Sequence, residues 1–305
     1  MIEVSFMLYL HRGEENVQEL FSYEDIRKTY EEVDWHRRTR MIIQKYALNT
    51  QDIRDAALAG LDIKQFRDVL DLGCGYGFFT ERLKGKLNDQ AKIIGIDVVN
   101  KNNRDTFLNT VTLMGYMGTF IQGSADIIAD MAQESFDLVI ASFSLYFFPH
   151  MIPWIAKVLR RTGLFIAVTH SRHTLHEVIR FVPSCMRAVG LTPPDDLRIN
   201  RLFRVFSLEE GASQLSPHFE EVERILYENS LVFPFDQFDQ CVEYLDNKKH
   251  LIFKEVSEIY PYKIEDVAAA FNMALFEHAR LHGKVLITKD DGIFRCRLPV
   301  HDRRR

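Results

Sequence analysis

Short apolar runs alternate with amphipathic stretches through the middle of this chain. Residues 103–114 and 151–160 have the apolar spacing of helices and separate some of these runs. Strands that are apolar throughout and are separated by helices are typical of a parallel sheet covered on both faces. The pattern therefore predicts an α/β fold. Its buried strands are predicted at 68–72, 92–97, 119–123, 136–141 and 163–169.

The two ends of the chain follow different patterns. Residues 1–60 predict an N-terminal helical segment, since apolar residues recur there at helical spacing among polar ones. Residues 61–300 predict one domain with a helical insertion at about 236–282. Within it, 219–233 reads as one long strand or a pair of strands. Asp290-Asp291-Gly292 is a hairpin turn signal, so an antiparallel strand or hairpin is expected to close the sheet.

Composition and charge narrow the classes of function. Hydrophobic residues make up 47% of the chain and the net charge is −5, so a folded protein without a basic nucleic-acid surface is expected. The four cysteines lack CxxC spacing, which argues against zinc or a disulfide framework. The apolar start at 1–10 lacks a basic beginning and no run reaches membrane-spanning length, so we expect a cytoplasmic protein. The basic run at 303–305 reads as a solvated terminus.

The segment 69–77, Val-Leu-Asp-Leu-Gly-Cys-Gly-Tyr-Gly, is the strongest motif in the chain. Glycine permits positive φ and a close approach of backbone to ligand, and a helix predicted to begin at Phe78 would offer unpaired N–H groups. A dinucleotide site has GxGxxG spacing, whereas this loop has GxGxG. Asp71 would also disfavour a pyrophosphate, while it suits a ligand with an ammonium group.

This segment resembles motif I of the class I methyltransferases, whose D-x-G-x-G-x-G pattern it matches completely. The resemblance is well ordered over 62–169 and looser up to Leu298. It implies a Rossmann-like class I methyltransferase fold with a mostly parallel seven-stranded sheet. It also implies S-adenosyl-L-methionine as cofactor and S-adenosyl-L-homocysteine as product. In the family, Asp71 and the Gly73–Gly77 loop would hold the methionine part.

Two further segments match the family in part. Asp97 ends the second strand, where the family has an acid that accepts hydrogen bonds from both ribose hydroxyls. Where the family often has Asp-Ala, this chain has Ser124-Ala125-Asp126, so the adenine contact is Ser124, Asp126 or backbone alone. The predicted cofactor residues are Asp71, Gly73, Cys74, Gly75, Tyr76, Gly77, Asp97, Val98, Ser124, Ala125, Asp126 and Ser142.

The acceptor of the methyl group is less well indicated. After the fourth strand the chain has Ala-Ser-Phe-Ser instead of a motif such as Asn-Pro-Pro-Tyr, which disfavours DNA adenine and protein glutamine as acceptors. Methyl transfer needs mainly orientation, so the family has no universal catalytic residue. His170, at the end of the fifth strand, is the candidate general base. His173, His176 and Glu177 more closely fit a solvated helix cap than a metal cluster, so no metal is expected.

The helical ends of the chain are expected to form a lid over the pocket, as in many small-molecule methyltransferases of this family. Candidate substrate contacts are Tyr30, Trp35, Arg37, Tyr146 and Tyr244. The leading hypothesis is methyl transfer by in-line displacement to O, N, S or C of a small molecule, by a monomer or homodimer without nucleic-acid or membrane partners. The alternatives are an RNA or protein methyltransferase and a non-catalytic cofactor-binding subunit.

Overall fold

The computed structural model describes residues 20–99 and 102–300. The apolar start at 1–10 and the basic end at 303–305 therefore lie outside the described residues, as does part of the predicted N-terminal segment. Within the described ranges, no helix is long and apolar enough to cross a membrane.

Seven strands form the main sheet, in the spatial order β3-β2-β1-β4-β5-β9-β6. Strands β1 to β5 pair in parallel, and β9 runs antiparallel to both of its neighbours. The predicted fold class, a mostly parallel sheet with an antiparallel C-terminal strand, is confirmed. The strands are β1 (Asp68–Leu72), β2 (Lys92–Asp97), β3 (Met117–Gln122), β4 (Phe136–Ser142), β5 (Leu159–His170), β6 (Phe219–Tyr227) and β9 (Asp291–Pro299).

The alternative of a C-terminal hairpin is wrong. Strand β8 (Lys284–Thr288) pairs with β7 (Ser230–Pro234) in a separate two-stranded sheet, while β9 enters the main sheet. The chain does not turn back on β8 at Asp290. The Asp290 carbonyl instead accepts the N–H of Ser171, the residue after β5, at 3.0 Å. A turn signal reports local geometry only, so it does not reveal which strands pair.

Helices cover both sides of the main sheet. The segment Thr80–Leu83, in which an α-helix was predicted from Phe78, is a short 3₁₀ helix. The helices are α1 (Tyr23–Tyr30), α2 (Val33–Tyr46), α3 (Ile53–Leu58), α4 (Asn103–Leu113), α5 (Ile152–Val158), α6 (His176–Ile179), α7 (Val182–Ala188), α8 (Arg198–Val205), α9 (Gly211–Leu215), α10 (Phe238–Asp246), α11 (Lys249–Ile252), α12 (Lys254–Ile259) and α13 (Ile264–His282).

The 3₁₀ helix after the glycine loop lies against a side chain of α3. The Phe78 carbonyl accepts a hydrogen bond from Arg54 Nη1 at 2.8 Å, so it is engaged outside the helix. The Arg82 N–H donates instead to the Phe79 carbonyl, three residues back, at 2.9 Å. The Glu81 N–H reaches the Gly77 carbonyl at 2.9 Å, so one α-type hydrogen bond forms, and Arg54 occupies the carbonyl that would have accepted the next one.

Both faces of the main sheet are buried in apolar clusters, as a largely parallel sheet requires. Successive residues of a strand point to opposite faces, so each strand supplies both clusters. One face carries Leu70, Leu72, Val139 and Phe165, which pack with residues of α2 and α10 to α13. The other face carries Val69, Ile93, Leu138 and Ile166, which pack with residues of α3 and α4.

The N-terminal helices pack against the helices of the 236–282 region. Lys254 of α12 forms an ion pair with Asp25 of α1 at 2.7 Å, and both side chains are mostly buried. The Tyr46 hydroxyl of α2 donates to Gln237 Oε1 at 2.9 Å. We call α1, α2 and α10 to α13 together the helical body. It contributes one wall of the cavity described below.

Gly95 in β2 lets the sheet pack closely beneath the glycine loop. A Cβ at this position would lie 2.6 Å from Cys74 Sγ and 2.6 Å from Phe107 Cζ. We expect Gly95→Ala to lower the free energy of unfolding by about 1–3 kcal/mol, because an overpacked core must shift. Urea denaturation measures the change. In Gly118→Ala in β3, the nearest contact of the new Cβ would be Val111 at 3.1 Å, so the free energy of unfolding should fall by less than in Gly95→Ala. An equal loss in both variants would contradict this account.

Candidate functional site

A large cavity opens at the carboxyl ends of the parallel strands. Its volume is about 670 Å³, and its wall is shared between the loops after β1, β2, β3 and β4 and residues of α1 and α2. In open α/β sheets, ligands bind beyond the carboxyl ends of the strands. The position and size of this cavity therefore mark it as the candidate site.

The glycine loop after β1 forms the floor of the cavity. The N–H groups of Gly73 and Cys74 both donate to the Ile96 carbonyl, at 2.8 and 3.2 Å, which fixes the loop to the end of β2. Gly73 has φ +68°, and a Cβ there would lie 2.5 Å from the Cβ of Ser144. Both its backbone conformation and its surroundings therefore require glycine.

Asp71 is a buried carboxyl group at the end of β1, with an exposed fraction of 1%. The Thr80 hydroxyl donates to its Oδ2 at 2.5 Å, and no cationic side chain of the described residues pairs with it. Burial raises the pKa of Asp71 to about 7; the Thr80 hydrogen bond opposes this rise and the Asp97 charge adds to it. The site therefore holds an acid that a cationic ligand would drive into its charged form.

Asp97, at the end of β2, is held by backbone donors. Its Oδ2 accepts the Gly75 N–H and its Oδ1 accepts the Val99 N–H, each at 2.8 Å. Burial nevertheless raises the pKa of Asp97 above its ordinary value. Each carboxylate oxygen has two lone pairs, so one remains on each for a ligand. Asp71 and Asp97 both line the cavity without an ionic partner among the described residues.

Asn103 begins α4 at the same end of the cavity. Its side chain is 1% exposed, and its Oδ1 has no hydrogen-bond partner among residues 20–99 and 102–300. A buried amide oxygen without a partner is costly, by about 1–3 kcal/mol, unless a ligand supplies a donor. Sequence analysis missed this residue, because an asparagine at a helix start reads as an ordinary cap.

The segment after β3 contributes Ser124, Ala125 and Asp126 to the cavity. Ser124 Oγ accepts the Asp126 N–H at 3.1 Å and thereby caps the 3₁₀ helix Ala125–Asp130. Asp126 Oδ1 lies 2.8 Å from His150 Nε2, and both side chains are about half exposed. The carboxylate is thus already paired, and the adenine contact stays open between Ser124, Asp126 and backbone.

The predicted cofactor residues converge on this cavity, with one exception. All of them except Gly77 contribute to its lining. Gly77 has φ +77°, and its N–H donates to the Cys74 carbonyl at 2.9 Å. Gly77 therefore fixes the conformation of the loop without lining the cavity.

The predicted substrate residues divide into three groups. Tyr30 lines the cavity. Tyr146 and Tyr244 are buried, with exposed fractions of 3% and 1%, and lie outside its lining. Trp35 and Arg37 are exposed on the other side of α2. The assignment of Trp35 and Arg37 to the pocket is not supported, because the helix turns them away from it.

Helix α2 faces the cavity with residues that the sequence analysis did not select. They recur at positions i, i+3, i+4, i+7 and i+8, as one face of a helix requires. The helical period was visible in the sequence, but it did not show which face of α2 meets the cavity. These residues are His36, Thr39, Arg40, Ile43 and Gln44.

His170 lies at the end of β5, behind the cavity lining. Its Nδ1 is 2.8 Å from Asp291 Oδ1, and Lys289 Nζ is 2.7 Å from the other oxygen of the same carboxylate. Its ring contacts those of Phe143 and Tyr146. Burial lowers the pKa of His170, partly offset by Asp291. Asp291 and Lys289 line the cavity and His170 does not, so its role as a base stays a prediction.

The histidines after β5 have structural partners. Glu177 accepts hydrogen bonds from the backbone N–H and the hydroxyl of Thr288, the former at 2.9 Å. His176 Nδ1 lies 2.8 Å from the His173 carbonyl. Across residues 20–99 and 102–300, no group of three potential metal ligands is assembled.

Residues 69–163 match a family model described as a methyltransferase domain. The matched segment contains the glycine loop, Asp97, residues 124–126 and β4, and it lies in a sheet with one reversed strand. Residues 69–163 carry a methyltransferase domain. The sequence prediction of this family is therefore confirmed.

Relatives of the methyltransferase domain are distant. An uncharacterized methyltransferase from Schizosaccharomyces pombe is 26% identical over 179 residues, which cover 54% of this chain and 64% of the relative. The match thus spans less than two thirds of that protein's length.

Solved structures that superpose on this chain include the cyclopropane synthase MmaA2 from Mycobacterium tuberculosis. It is 16% identical, with a TM-score of 0.47, over 91% of this chain and 99% of that one. A phosphoethanolamine N-methyltransferase of Haemonchus contortus, solved with S-adenosylhomocysteine, is 12% identical, with a TM-score of 0.43, over 93% and 59%. At these TM-scores the fold assignment rests on the strand order and the domain match.

The carboxyl group of Asp71 should make stability depend on pH. In the unfolded chain it titrates near pH 3.9, whereas in the fold its pKa is about 7. Between these values the folded state holds a proton that the unfolded state has lost, so the free energy of unfolding falls as pH rises. In the native chain we expect the free energy of unfolding to fall by up to about 1.4 kcal/mol per pH unit over this range. In Asp71→Asn this fall should be absent.

Urea denaturation at pH 5 and pH 7 measures this difference. Asp89→Asn is the matched control, because the Asp89 side chain is 93% exposed and should leave the slope unchanged. If Asp71→Asn kept the pH dependence of the native chain, the assignment of the raised pKa to Asp71 would be wrong.

Proposed function

We propose that this protein transfers a methyl group from S-adenosyl-L-methionine to a small molecule. The observation that carries the proposal is the pair of buried carboxyl groups, Asp71 and Asp97, that face one cavity across a glycine loop without cationic partners among the described residues. Unpaired buried acids are destabilising, so a ligand that satisfies them is the natural explanation.

The residues of the cavity fit the cofactor. Asp71 suits the ammonium of its methionine part, and the free lone pairs of Asp97 suit two ribose hydroxyls. Asn103 Oδ1, which has no partner in the described part of the chain, would accept a further hydrogen bond from the adenosyl part. Ser124 and Asp126 lie at the next loop, where the family binds adenine. Each of these contacts is part of the proposal.

When bound, the cofactor supplies a methyl group already activated by the sulfonium. What remains for the chain is to hold the acceptor in line and to exclude water, and such orientation can contribute about 7–11 kcal/mol. The helical body is suited to this task. The Tyr76 hydroxyl of the glycine loop donates to the Tyr30 carbonyl of α1 at 2.5 Å, which ties the loop to the helical wall.

A small acceptor is favoured over RNA or protein. The cavity wall opposite the glycine loop is built from α1 and α2, so the acceptor would lie between helix and loop rather than on an open surface. The net charge of −5 also disfavours a nucleic-acid partner. A non-catalytic cofactor-binding subunit would use the same site, and only an assay of methyl transfer separates it from an enzyme.

Asp97→Ala should weaken the binding of S-adenosylmethionine and S-adenosylhomocysteine roughly ten- to hundredfold, since it removes a charged acceptor of two hydrogen bonds. Isothermal titration calorimetry with each ligand measures the change, with Asp89→Asn as the control. Native protein that binds neither ligand would overturn the proposal. Native protein that binds both but transfers no labelled methyl group to any fraction of a metabolite extract would favour the non-catalytic alternative.

Asn103→Leu should weaken S-adenosylhomocysteine binding roughly three- to tenfold, because leucine has a similar volume and cannot accept a hydrogen bond. Asn109→Leu, the same substitution at an exposed position of α4, is the matched control. The same calorimetric titration applies. Equal affinities in the two variants would show that Asn103 does not contact the cofactor.

A further inference from the structure

The wall opposite the glycine loop differs in its charges from the loop side. Residues 21–54, 227–229 and 289–291 contribute the part of the cavity lining that we call the outer wall. It comes from α1, α2, α3 and the segments that follow β6 and β8. Since the glycine loop faces the proposed cofactor, the outer wall is where an acceptor would lie.

Each cationic side chain of the outer wall is paired with a carboxylate. Arg40 pairs with Glu81 at 2.6 Å, and its guanidinium also lies 5.3 Å from the ring centre of Phe78. Arg54 pairs with Asp52. The third pair is the contact of Lys289 with Asp291.

This pairing leaves the outer wall electrically balanced. The loop side, in contrast, has Asp71 and Asp97 without ionic partners among the described residues. A charged acceptor at the outer wall would have to lose water without gaining a counter-ion, which is costly in a buried site. Apolar side chains such as Ile26 and Ile43 supply much of the remaining surface. These features suit a neutral and largely apolar molecule.

His36 is a polar group of the outer wall with an open hydrogen-bonding atom. Its Nε2 lies 3.0 Å from the Thr29 carbonyl. A carbonyl can only accept, so Nε2 carries the proton and Nδ1 of the neutral ring has the lone pair. Within residues 20–99 and 102–300, the Thr29 carbonyl is the one hydrogen-bond partner of this ring. The ring is held in place by stacking on Tyr30, with centres 5.3 Å apart, and by contact with Tyr76.

The electrostatic surroundings keep His36 neutral. Burial lowers the pKa of His36 to about 4; the Thr29 hydrogen bond opposes this shift and the Lys248 charge adds to it. At neutral pH the ring is therefore an acceptor at Nδ1 and not a cation. It complements a donor group on an uncharged ligand.

We propose that the acceptor is an uncharged, largely apolar molecule whose hydroxyl or N–H group donates a hydrogen bond to Nδ1 of His36. The inference rests on the proposed function, because it takes the ligand at the glycine loop to be the cofactor. The charge balance of the outer wall and the tautomer of His36 do not depend on the proposed function. Carboxylate or phosphate acceptors would need an unpaired cation at this wall, and ammonium acceptors an unpaired acid.

Four probes with one aromatic body separate these classes. They are 2-naphthol, 2-methoxynaphthalene, 2-naphthoate and 2-naphthylmethylammonium. Titration calorimetry of the full chain at neutral pH, with and without saturating S-adenosylhomocysteine, gives their affinities. We expect 2-naphthol to bind about tenfold more tightly than each of the other three. Tighter binding of either charged probe, or no binding of any probe, would overturn the proposal.

Two variants then test His36 itself. His36→Phe keeps a ring against Tyr30 and should lower the affinity for 2-naphthol about tenfold, while 2-methoxynaphthalene is unaffected. His36→Asn places an amide oxygen near the position of Nδ1 and should restore part of the loss. If His36→Phe weakened both probes equally, the residue would be merely structural and the proposal wrong.

Failure of this proposal is distinguishable from failure of the proposed function. S-adenosylhomocysteine is titrated separately into each variant, and His36→Phe should bind it with native affinity. Absence of that binding in the native chain would remove the proposed function. A different order of affinities among the four probes would refute only the proposed class of acceptor.

Discussion

Two backbone donors on one carbonyl group set the geometry on which this site depends. Gly73 and Cys74 both donate to Ile96, so the turn after β1 is tied to the end of β2. The same tie brings Asp71 and Asp97 to one cavity, since Asp71 is the second-last residue of β1 and Asp97 is the last residue of β2. Positive φ at Gly73 and the absence of a Cβ at Gly95 make the close approach possible.

The groups gathered there are poorly satisfied by the protein alone. Two buried acids lack cationic partners among the described residues, and Asn103 Oδ1 lacks any hydrogen-bond partner. Elsewhere in the fold, comparable groups are paired, as are Asp25 with Lys254 and Asp52 with Arg54. Three such groups that line one cavity are what a ligand site requires, because the missing partners come from the ligand.

The opposite wall is built by contacts between distant parts of the chain. Helix α1 is joined to α12 through Asp25, and α2 to the segment before α10 through Tyr46. These contacts hold His36 over the glycine loop, where its ring meets Tyr30 and Tyr76. Selectivity for an acceptor would thus depend on the packing of the helical body, while the loops after the strands would bind the proposed cofactor.

Local patterns were sufficient for the strands, the glycine loop and Asp97, because apolar runs, glycine spacing and a strand-end acid each act within a few residues. Contacts between residues far apart decided the rest. Strand β9 pairs with β5 and β6 and not with β8, and Arg54 occupies the Phe78 carbonyl, which would have accepted the second hydrogen bond of an α-helix. The side of α2 that meets the cavity, with His36 and not Trp35, follows from packing that no local spacing reports.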